Sequence, residues 1–212
     1  MISKRSARAS SVRSLVSFAA RVAVVAALLA SSLLAACGAG VPPAIRDELA
    51  RAPRGTVTVV FFTDFQCPFC RRTHAALAPV VAEHPGRVRV VTRHVPLHMH
   101  PDARTAARVA VCTEPLAAHD AVLDDLYRAP DLSEAACADI AVAHGADRAE
   151  LDRCVADPKT DARIDSDTAM FRSLGGDGVP MMYVDRTLLD GAQSRRSLEA
   201  TWFAPFDLRA ER

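Results

Sequence analysis

The stretch that decides the fold is Phe62-Thr63-Asp64-Phe65-Gln66-Cys67-Pro68-Phe69-Cys70-Arg71. It follows the β-branched, apolar run 56–62, which predicts a buried strand, and it opens a helical pattern. A cysteine at a helix N-terminus faces unpaired N–H groups and the positive end of the dipole, which favours thiolate over thiol. Pro68 fits the first turn, where its missing N–H costs nothing. We therefore expect Cys67 to be a nucleophile and Cys70, one turn further on, to resolve the mixed disulfide.

The surrounding patterns predict an α/β fold in the order β–α–β, helical insert, β–β–α. After the helix at 67–84, the alternating run 87–93 is a second strand, and short strands follow at 181–184 and 187–189 before a last helix at 194–202. Helices are predicted between the second and third strands at 102–112, 115–127, 133–144, 146–155 and 160–174.

A second signal is Gly178-Val179-Pro180, directly before the third strand. Proline is permitted at the first residue of a strand. Because Pro180 follows a glycine-rich turn, the Val179–Pro180 bond is a candidate cis peptide.

Taken together, these motifs resemble the DsbA-like branch of the thioredoxin superfamily. The active-site stretch, Arg93-His94-Val95-Pro96-Leu97, the Gly178-Val179-Pro180 loop and the hairpin at 181–191 follow the family's order. The resemblance implies a thioredoxin fold in two parts, 55–100 and 175–212, with an all-α insert at 101–174. It implies a protein thiol:disulfide oxidoreductase in which Cys67 is the nucleophile. The loop at Val179 and Pro180 would pack against the disulfide and offer backbone hydrogen bonds to a peptide substrate.

The chain departs from the family in its dipeptide and at its edge. Phe69 replaces the histidine of the strongest oxidants, and its ring cannot donate a hydrogen bond to the Cys67 thiolate. We therefore expect a less depressed pKa and a less oxidising couple. The usual strand before residue 55 is not evident, so the sheet is expected to lack one edge.

The first 36 residues predict a lipoprotein signal peptide. They hold five basic residues and no acidic one, and 22–34 is an apolar run of the length typical of secretory signals. Leu34-Ala35-Ala36-Cys37 resembles a bacterial lipobox, which implies lipid on Cys37; the alternative is an uncleaved signal anchor. Either arrangement tethers the body to a membrane, facing the periplasm or the cell exterior. Residues 37–54 are predicted to be a tether with a short helix at 44–50.

The net charge of the remaining body is mildly acidic. Of 26 basic residues, 21 lie beyond the signal, against 25 acidic ones. This argues against nucleic-acid binding, which needs a basic face. The partners we expect are exported proteins that contain thiols or disulfides, and a membrane redox partner that the sequence does not identify. The exchange needs no organic cofactor and no metal.

Three further cysteines, Cys112, Cys137 and Cys154, lie in the helical insert. An exported protein favours pairing, but three cysteines leave one over. Cysteines at equivalent places in relatives imply a Cys112–Cys154 bridge; a Cys137–Cys154 bridge and no second bridge remain the alternatives.

Several other interpretations stay open. Cys67, Cys70 and His74 form C-x2-C-x3-H, with His98 and His100 downstream, and soft sulfur and imidazole ligands suit Cu(I) or zinc. A membrane-tethered copper metallochaperone is therefore the rival from a different class. Within enzymes, the rival is a reductase that serves particular exported cysteines.

Asp64 also has two possible roles. It either caps the turn before the helix, which is favoured, or assists proton transfer to Cys70.

Overall fold

The computed structural model describes residues 40–207, with side chains as far as residue 202. Cys37 and the rest of the predicted signal lie outside these residues. The secondary structure in chain order is α1 (Pro43–Ala50), β1 (Val57–Thr63), α2 (Pro68–Ala82), β2 (Val88–His94), α3 (Ala103–Thr113), α4 (His119–Arg128), α5 (Glu134–Ala143), α6 (Arg148–Ala156), α7 (Pro158–Ser173), β3 (Met181–Val184), β4 (Thr187–Asp190) and α8 (Arg195–Asp207).

The four strands form one sheet in the order β2-β1-β3-β4. Strands β1 and β2 are parallel, whereas β3 pairs antiparallel with β1 and with β4. Every residue of β1 is buried, in keeping with its continuous apolar run in the sequence. No strand precedes β1 within residues 40–207, so β2 forms an edge, as the sequence predicted.

Five helices, α3 to α7, connect β2 to β3 and form the all-α insert. Helix α3 contributes buried alanines at 103, 106, 107 and 110, the spacing of one helical face. Ser133 caps α5 by accepting the N–H of Ala136, and Gly145 follows its end with positive φ. The thioredoxin fold with an inserted all-α subdomain is therefore confirmed.

The predicted tether at 37–54 needs a correction. Its residues 43–50 are helix α1, whose Ile45 and Glu48 are almost completely buried. Glu48 accepts hydrogen bonds from Arg51, Arg89 and Arg93. Burial raises the pKa of Glu48, but the hydrogen bonds and charges of the two β2 arginines outweigh it and lower this pKa overall. This ion cluster fastens α1 to β2, so residues 43–50, where the sequence predicted a short helix, are part of the folded body.

Among residues 40–207, no helix has both the length and the apolar character needed to cross a membrane.

Candidate active site

The turn between β1 and α2 is organised by Asp64, which is 2% exposed. Its Oδ1 accepts the N–H of Gln66 at 2.7 Å and the N–H of Cys67 at 3.2 Å. Its Oδ2 accepts the N–H of Leu97 at 2.8 Å and lies 2.8 Å from Nδ1 of His100. One carboxylate thus holds the start of α2 against the segment that follows β2. Both carboxylate oxygens of Asp64 accept backbone N–H groups, as expected if this residue caps the turn.

Cys67 occupies the N-cap position of α2, with Pro68 as the first helical residue. A hydrogen bond from the Cys70 thiol is the largest influence on its sulfur, followed by burial, which acts in the opposite sense. The backbone N–H groups of Cys70 and Phe69 also stabilise the thiolate, while the charge of Asp64 opposes it. The net effect lowers the pKa of Cys67 to about 6.

Cys70 is completely buried, and its pKa is raised rather than lowered. Burial and the hydrogen bond to Cys67 raise its pKa strongly; the Asp64 backbone and the Thr63 hydroxyl lower it in part. Because the two sulfurs share one proton that stays on Cys70, the reduced site holds a Cys67 thiolate beside a Cys70 thiol. The difference between the two pKa values makes Cys67 the nucleophile and leaves Cys70 as the resolving thiol.

The loop at Val179 and Pro180 lies against Cys67. The Val179–Pro180 peptide bond is cis. The Cys67 Sγ lies 3.6 Å from the Val179 carbonyl oxygen, to which it donates only while it is protonated. The antiparallel register that pairs Met181 with Phe62 brings this loop to the end of β1 where the cysteines begin. Only 4% of the Cys67 surface is accessible, so the reactive sulfur lies beneath this loop.

Phe69 is half exposed beside the buried cysteines. The Arg72 guanidinium lies 4.7 Å from the centre of its ring. The ring makes no hydrogen bond to Cys67, as expected, but the Phe69 backbone N–H does contribute to the Cys67 thiolate. The open ring offers an apolar contact next to the reactive sulfur.

His74 points away from the two cysteines, toward the insert. Its ring stacks on Tyr127 with centroids 4.0 Å apart, and its Nε2 lies 3.1 Å from a carboxylate oxygen of Asp124. Within residues 40–207, no group of three or more His, Cys, Asp and Glu side chains could hold a metal ion. The metallochaperone alternative therefore finds no ligand set in the described part of the chain.

Two site residues escaped the sequence analysis. Tyr127, from α4 of the insert, donates a hydrogen bond of 2.8 Å from its hydroxyl to Oγ1 of Thr63, and both side chains are buried. Because the two residues lie 64 positions apart, no local sequence pattern indicates that their side chains are in contact. The apolar run at 56–62 predicted a buried strand that stops one residue before Thr63, whereas β1 includes Thr63 as its last residue.

The remaining cysteines lie in the insert. A disulfide joins Cys112 to Cys154, the pairing that the family resemblance implied. Cys137 is a free thiol that is completely buried and donates to the carbonyl oxygen of Leu132 at 3.3 Å. Burial raises the pKa of Cys137 to about 12, so this thiol is unreactive at neutral pH.

Comparison with known proteins agrees with this fold. A family model described as Thioredoxin matches residues 52–201, and the chain belongs to this family. A thioredoxin-like oxidoreductase from Silicibacter pomeroyi DSS-3 is 29% identical, with a TM-score of 0.65 over 74% of this chain and 90% of that one. The thiol-disulfide exchange protein alpha-DsbA2 from Wolbachia pipientis is 19% identical, with a TM-score of 0.64 over 72% and 83% of the two chains. It shares the fold, and the present chain is DsbA-like in architecture.

Curated relatives include much longer proteins. The Na(+)/H(+) antiporter NhaA 1 of Mycolicibacterium gilvum (strain PYR-GCK) is 30% identical over 174 residues, which are 73% of this chain and 26% of the antiporter. The Na(+)/H(+) antiporter NhaA 3 of Salinispora tropica is 32% identical over 175 residues, 76% of this chain and 25% of the antiporter. The chain thus spans about a quarter of the length of these two relatives.

Proposed function

We propose that this chain is an exported, membrane-anchored thiol:disulfide oxidoreductase that exchanges disulfides with exported proteins through Cys67 and Cys70. The observation that carries the proposal is the pairing of a Cys67 whose pKa is lowered to about 6 with a buried Cys70 whose pKa is raised. A thiol that ionises below neutral pH is a ready nucleophile and a good leaving group. Membership of the thioredoxin family and the 29% identical oxidoreductase support it.

The proposed cycle begins with the Cys67–Cys70 disulfide. A substrate thiolate attacks the Cys67 sulfur, the S–S bond breaks, and its electron pair leaves on Cys70. The substrate is now joined to Cys67 as a mixed disulfide. A second substrate thiol loses its proton and attacks the joined substrate sulfur, which releases Cys67 as a thiolate and the substrate as a disulfide. The proton from that second thiol is taken up by Cys70, so two electrons and one proton pass to the protein.

The substrate backbone is proposed to lie along Val179 and Pro180. The Cys67 sulfur lies 3.6 Å from the Val179 carbonyl oxygen, so a chain bound to this sulfur passes beside the loop. The half-exposed ring of Phe69 supplies an apolar contact for the residue next to the substrate cysteine. Neither contact recognises a long, specific sequence in the substrate, and this would allow exchange with many exported proteins.

The direction we propose is donation of disulfides. A lowered pKa stabilises the reduced, thiolate form at neutral pH and so makes the disulfide a better oxidant. The reduced protein would be reoxidised by a membrane partner. The reductase alternative requires the opposite bias, and the reduction potential distinguishes the two.

Anchoring through lipid on Cys37 is the second part of the proposal. It rests on the stretch Leu34-Ala35-Ala36-Cys37, which resembles a lipobox. Cells fed an alkyne-labelled fatty acid should incorporate label into the wild-type chain and not into the Cys37→Ser variant. Equal labelling of the two chains would remove the lipid anchor from the account.

The exchange itself is tested with a reduced peptide that contains two cysteines. The oxidised full chain should convert it to its disulfide, and Cys67→Ser should be inactive. Cys70→Ser, mixed instead with the disulfide form of the peptide, should accumulate a mixed disulfide visible by mass, because its Cys67 thiolate attacks the peptide disulfide and one peptide thiol leaves. Cys137→Ser is the matched control, because this buried thiol lies outside the site. Retained activity in Cys67→Ser would exclude the mechanism.

A further inference from the structure

A hydrogen-bonded chain of two hydroxyls connects the helical insert to the buried sulfur of the redox pair. Tyr127 donates to Oγ1 of Thr63 at 2.8 Å. The Thr63 hydroxyl in turn lowers the pKa of Cys70, and Cys70 and Tyr127 belong to the same buried cluster. All three residues are at most 4% exposed, so water does not replace these contacts.

The direction of the chain determines its chemistry. A hydroxyl has one proton to donate. Because Tyr127 donates to the Thr63 oxygen, the Thr63 proton remains available for Cys70. Donors linked in this way strengthen one another in a low-dielectric interior.

The tyrosine is held in place by its neighbours. Its ring stacks on His74 at 4.0 Å and packs against Phe65 at 4.6 Å. His74 is itself oriented by Asp124 on the same helix as the tyrosine. These contacts hold the His74 ring in place. They also position the Tyr127 hydroxyl where Thr63 accepts its hydrogen bond.

We propose that Tyr127 is a positioning residue that acts through Thr63 to stabilise the thiolate that leaves on Cys70 when a substrate thiolate attacks Cys67. The inference rests on the proposed function and assigns a part of the redox site to the insert. In the step concerned, the Cys67–Cys70 bond breaks and its electron pair moves to the Cys70 sulfur. Thr63 keeps its own proton and donates only a hydrogen bond.

A hydrogen bond from Thr63 would offset the energetic cost of a negative charge on the buried Cys70 sulfur. A buried thiolate without a donor is strongly disfavoured, because nothing replaces the water it has lost. The leaving group of a disulfide exchange departs faster when its pKa is lower. Among the side chains around Cys70, the Thr63 hydroxyl lowers the pKa of this thiol, whereas Cys67 raises it; the other contact that lowers it comes from the Asp64 backbone.

The test measures how fast dithiothreitol reduces the Cys67–Cys70 disulfide of the full chain between pH 5 and 9. Thr63→Val should slow reduction about tenfold, the value of one hydrogen bond to a charged group. Tyr127→Phe, which keeps the ring and its packing, should slow it about threefold, and Thr63→Ser should stay within twofold of the wild type. Tyr183→Phe is the matched control, because the other tyrosine of the chain lies on β3 away from this hydroxyl chain.

A second readout separates this role from a structural one. The 13Cβ shift of Cys70 in reduced Cys67→Ser protein reports the titration of its thiol, and adding Thr63→Val or Tyr127→Phe should move that titration to higher pH. Unchanged rates and titration in both variants would overturn the proposal. So would equal losses in Thr63→Ser and Thr63→Val, since packing would then be the cause. If the wild type formed no reversible Cys67–Cys70 disulfide, the proposed function itself would fail, and this result is visible before any variant is made.

Discussion

The Cys67 sulfur lies 3.6 Å from the carbonyl oxygen of Val179, a residue 112 positions further along the chain. The contact forms because β3 pairs with β1 and delivers the cis-proline loop to the N-terminus of α2. The nucleophile and the backbone that can hold its substrate thus come from distant positions in the sequence and meet in the folded protein. The redox pair and this loop together form the site on which the following predictions depend.

The ionisation of Cys67 should be visible in its reactivity. With its pKa lowered to about 6, the reduced protein should be alkylated by iodoacetamide with a midpoint near that pH. Cys67→Ser is the control that identifies the reacting thiol. A midpoint above pH 8, close to the value of about 8.5 for an ordinary thiol, would contradict the lowered pKa.

The same shift makes the stability of the reduced form depend on pH. The folded pKa of Cys67 is lower than its unfolded one, so the thiolate stabilises the folded state fully above about pH 8.5. This contribution is lost as the pH falls to about 6. Urea unfolding of the reduced protein should show this rise between pH 6 and 8.5, and Cys67→Ser should lack it. The oxidised protein, which has no thiolate at Cys67, should lack it too.

The two roles considered for Asp64 lead to different outcomes in Asp64→Asn. An amide nitrogen cannot accept the N–H bonds that both carboxylate oxygens accept here. We expect a loss of about 2 kcal/mol in the free energy of unfolding. The pKa of Cys67 should fall further, because the Asp64 charge that opposes its thiolate is gone, while the rate at which Cys70 resolves the mixed disulfide should not change. Asp157→Asn, which changes an exposed cap of α7, is the matched control. Slower resolution of the mixed disulfide by Cys70 in Asp64→Asn would instead make Asp64 the base for Cys70.

Glu48 should be important for stability despite its place in the predicted tether. Its removal in Glu48→Ala leaves Arg93, 12% exposed, with Asp167 as its remaining ion-pair partner. Breaking a buried ion pair from one side costs about 3–5 kcal/mol. Chemical denaturation should show this loss, whereas Arg51→Ala, at the exposed rim of the same cluster, should cost less than about 1 kcal/mol. A Glu48→Ala protein as stable as the wild type would mean that α1 is not fastened by these charges.

The Cys112–Cys154 disulfide should stabilise the insert. It closes a loop of 42 residues, which corresponds to about 4 kcal/mol in the loop-entropy model. The Cys112→Ser, Cys154→Ser double variant should lose about this much in urea unfolding, measured with the Cys67–Cys70 pair oxidised in both proteins. Cys137→Ala provides the control for loss of a cysteine that forms no bridge. A double variant that unfolds at the wild-type urea concentration would argue against the bridge in the purified protein.

The fold could be predicted because its deciding signals are local. The run before Cys67, the Cys-Pro-Phe-Cys spacing and the glycine-rich turn before Pro180 each occupy a few adjacent residues. Strand and helix positions agreed with the sequence analysis to within one to three residues at most ends, because hydrophobic periodicity determines them.

The parts that escaped prediction depend on contacts between distant residues. Glu48 had the pattern of a solvated charge, and its burial depends on Arg89 and Arg93 being neighbours in space. Tyr127 had the pattern of an ordinary core residue of an amphipathic helix. Its hydroxyl gains a role only because α4 packs beside the end of β1, which no local pattern indicates.

The central claim is that the Cys67–Cys70 pair is a reversible couple biased toward donating its disulfide. The most direct test is the reduction potential of the full chain, measured by equilibration in glutathione buffers. A Cys67 pKa of about 6 lies between the values of about 7 for thioredoxin and about 3.5 for DsbA. The potential should therefore fall between about −270 and −120 mV, the values of those two proteins. A value at or below about −270 mV would make the protein a reductant and contradict the account.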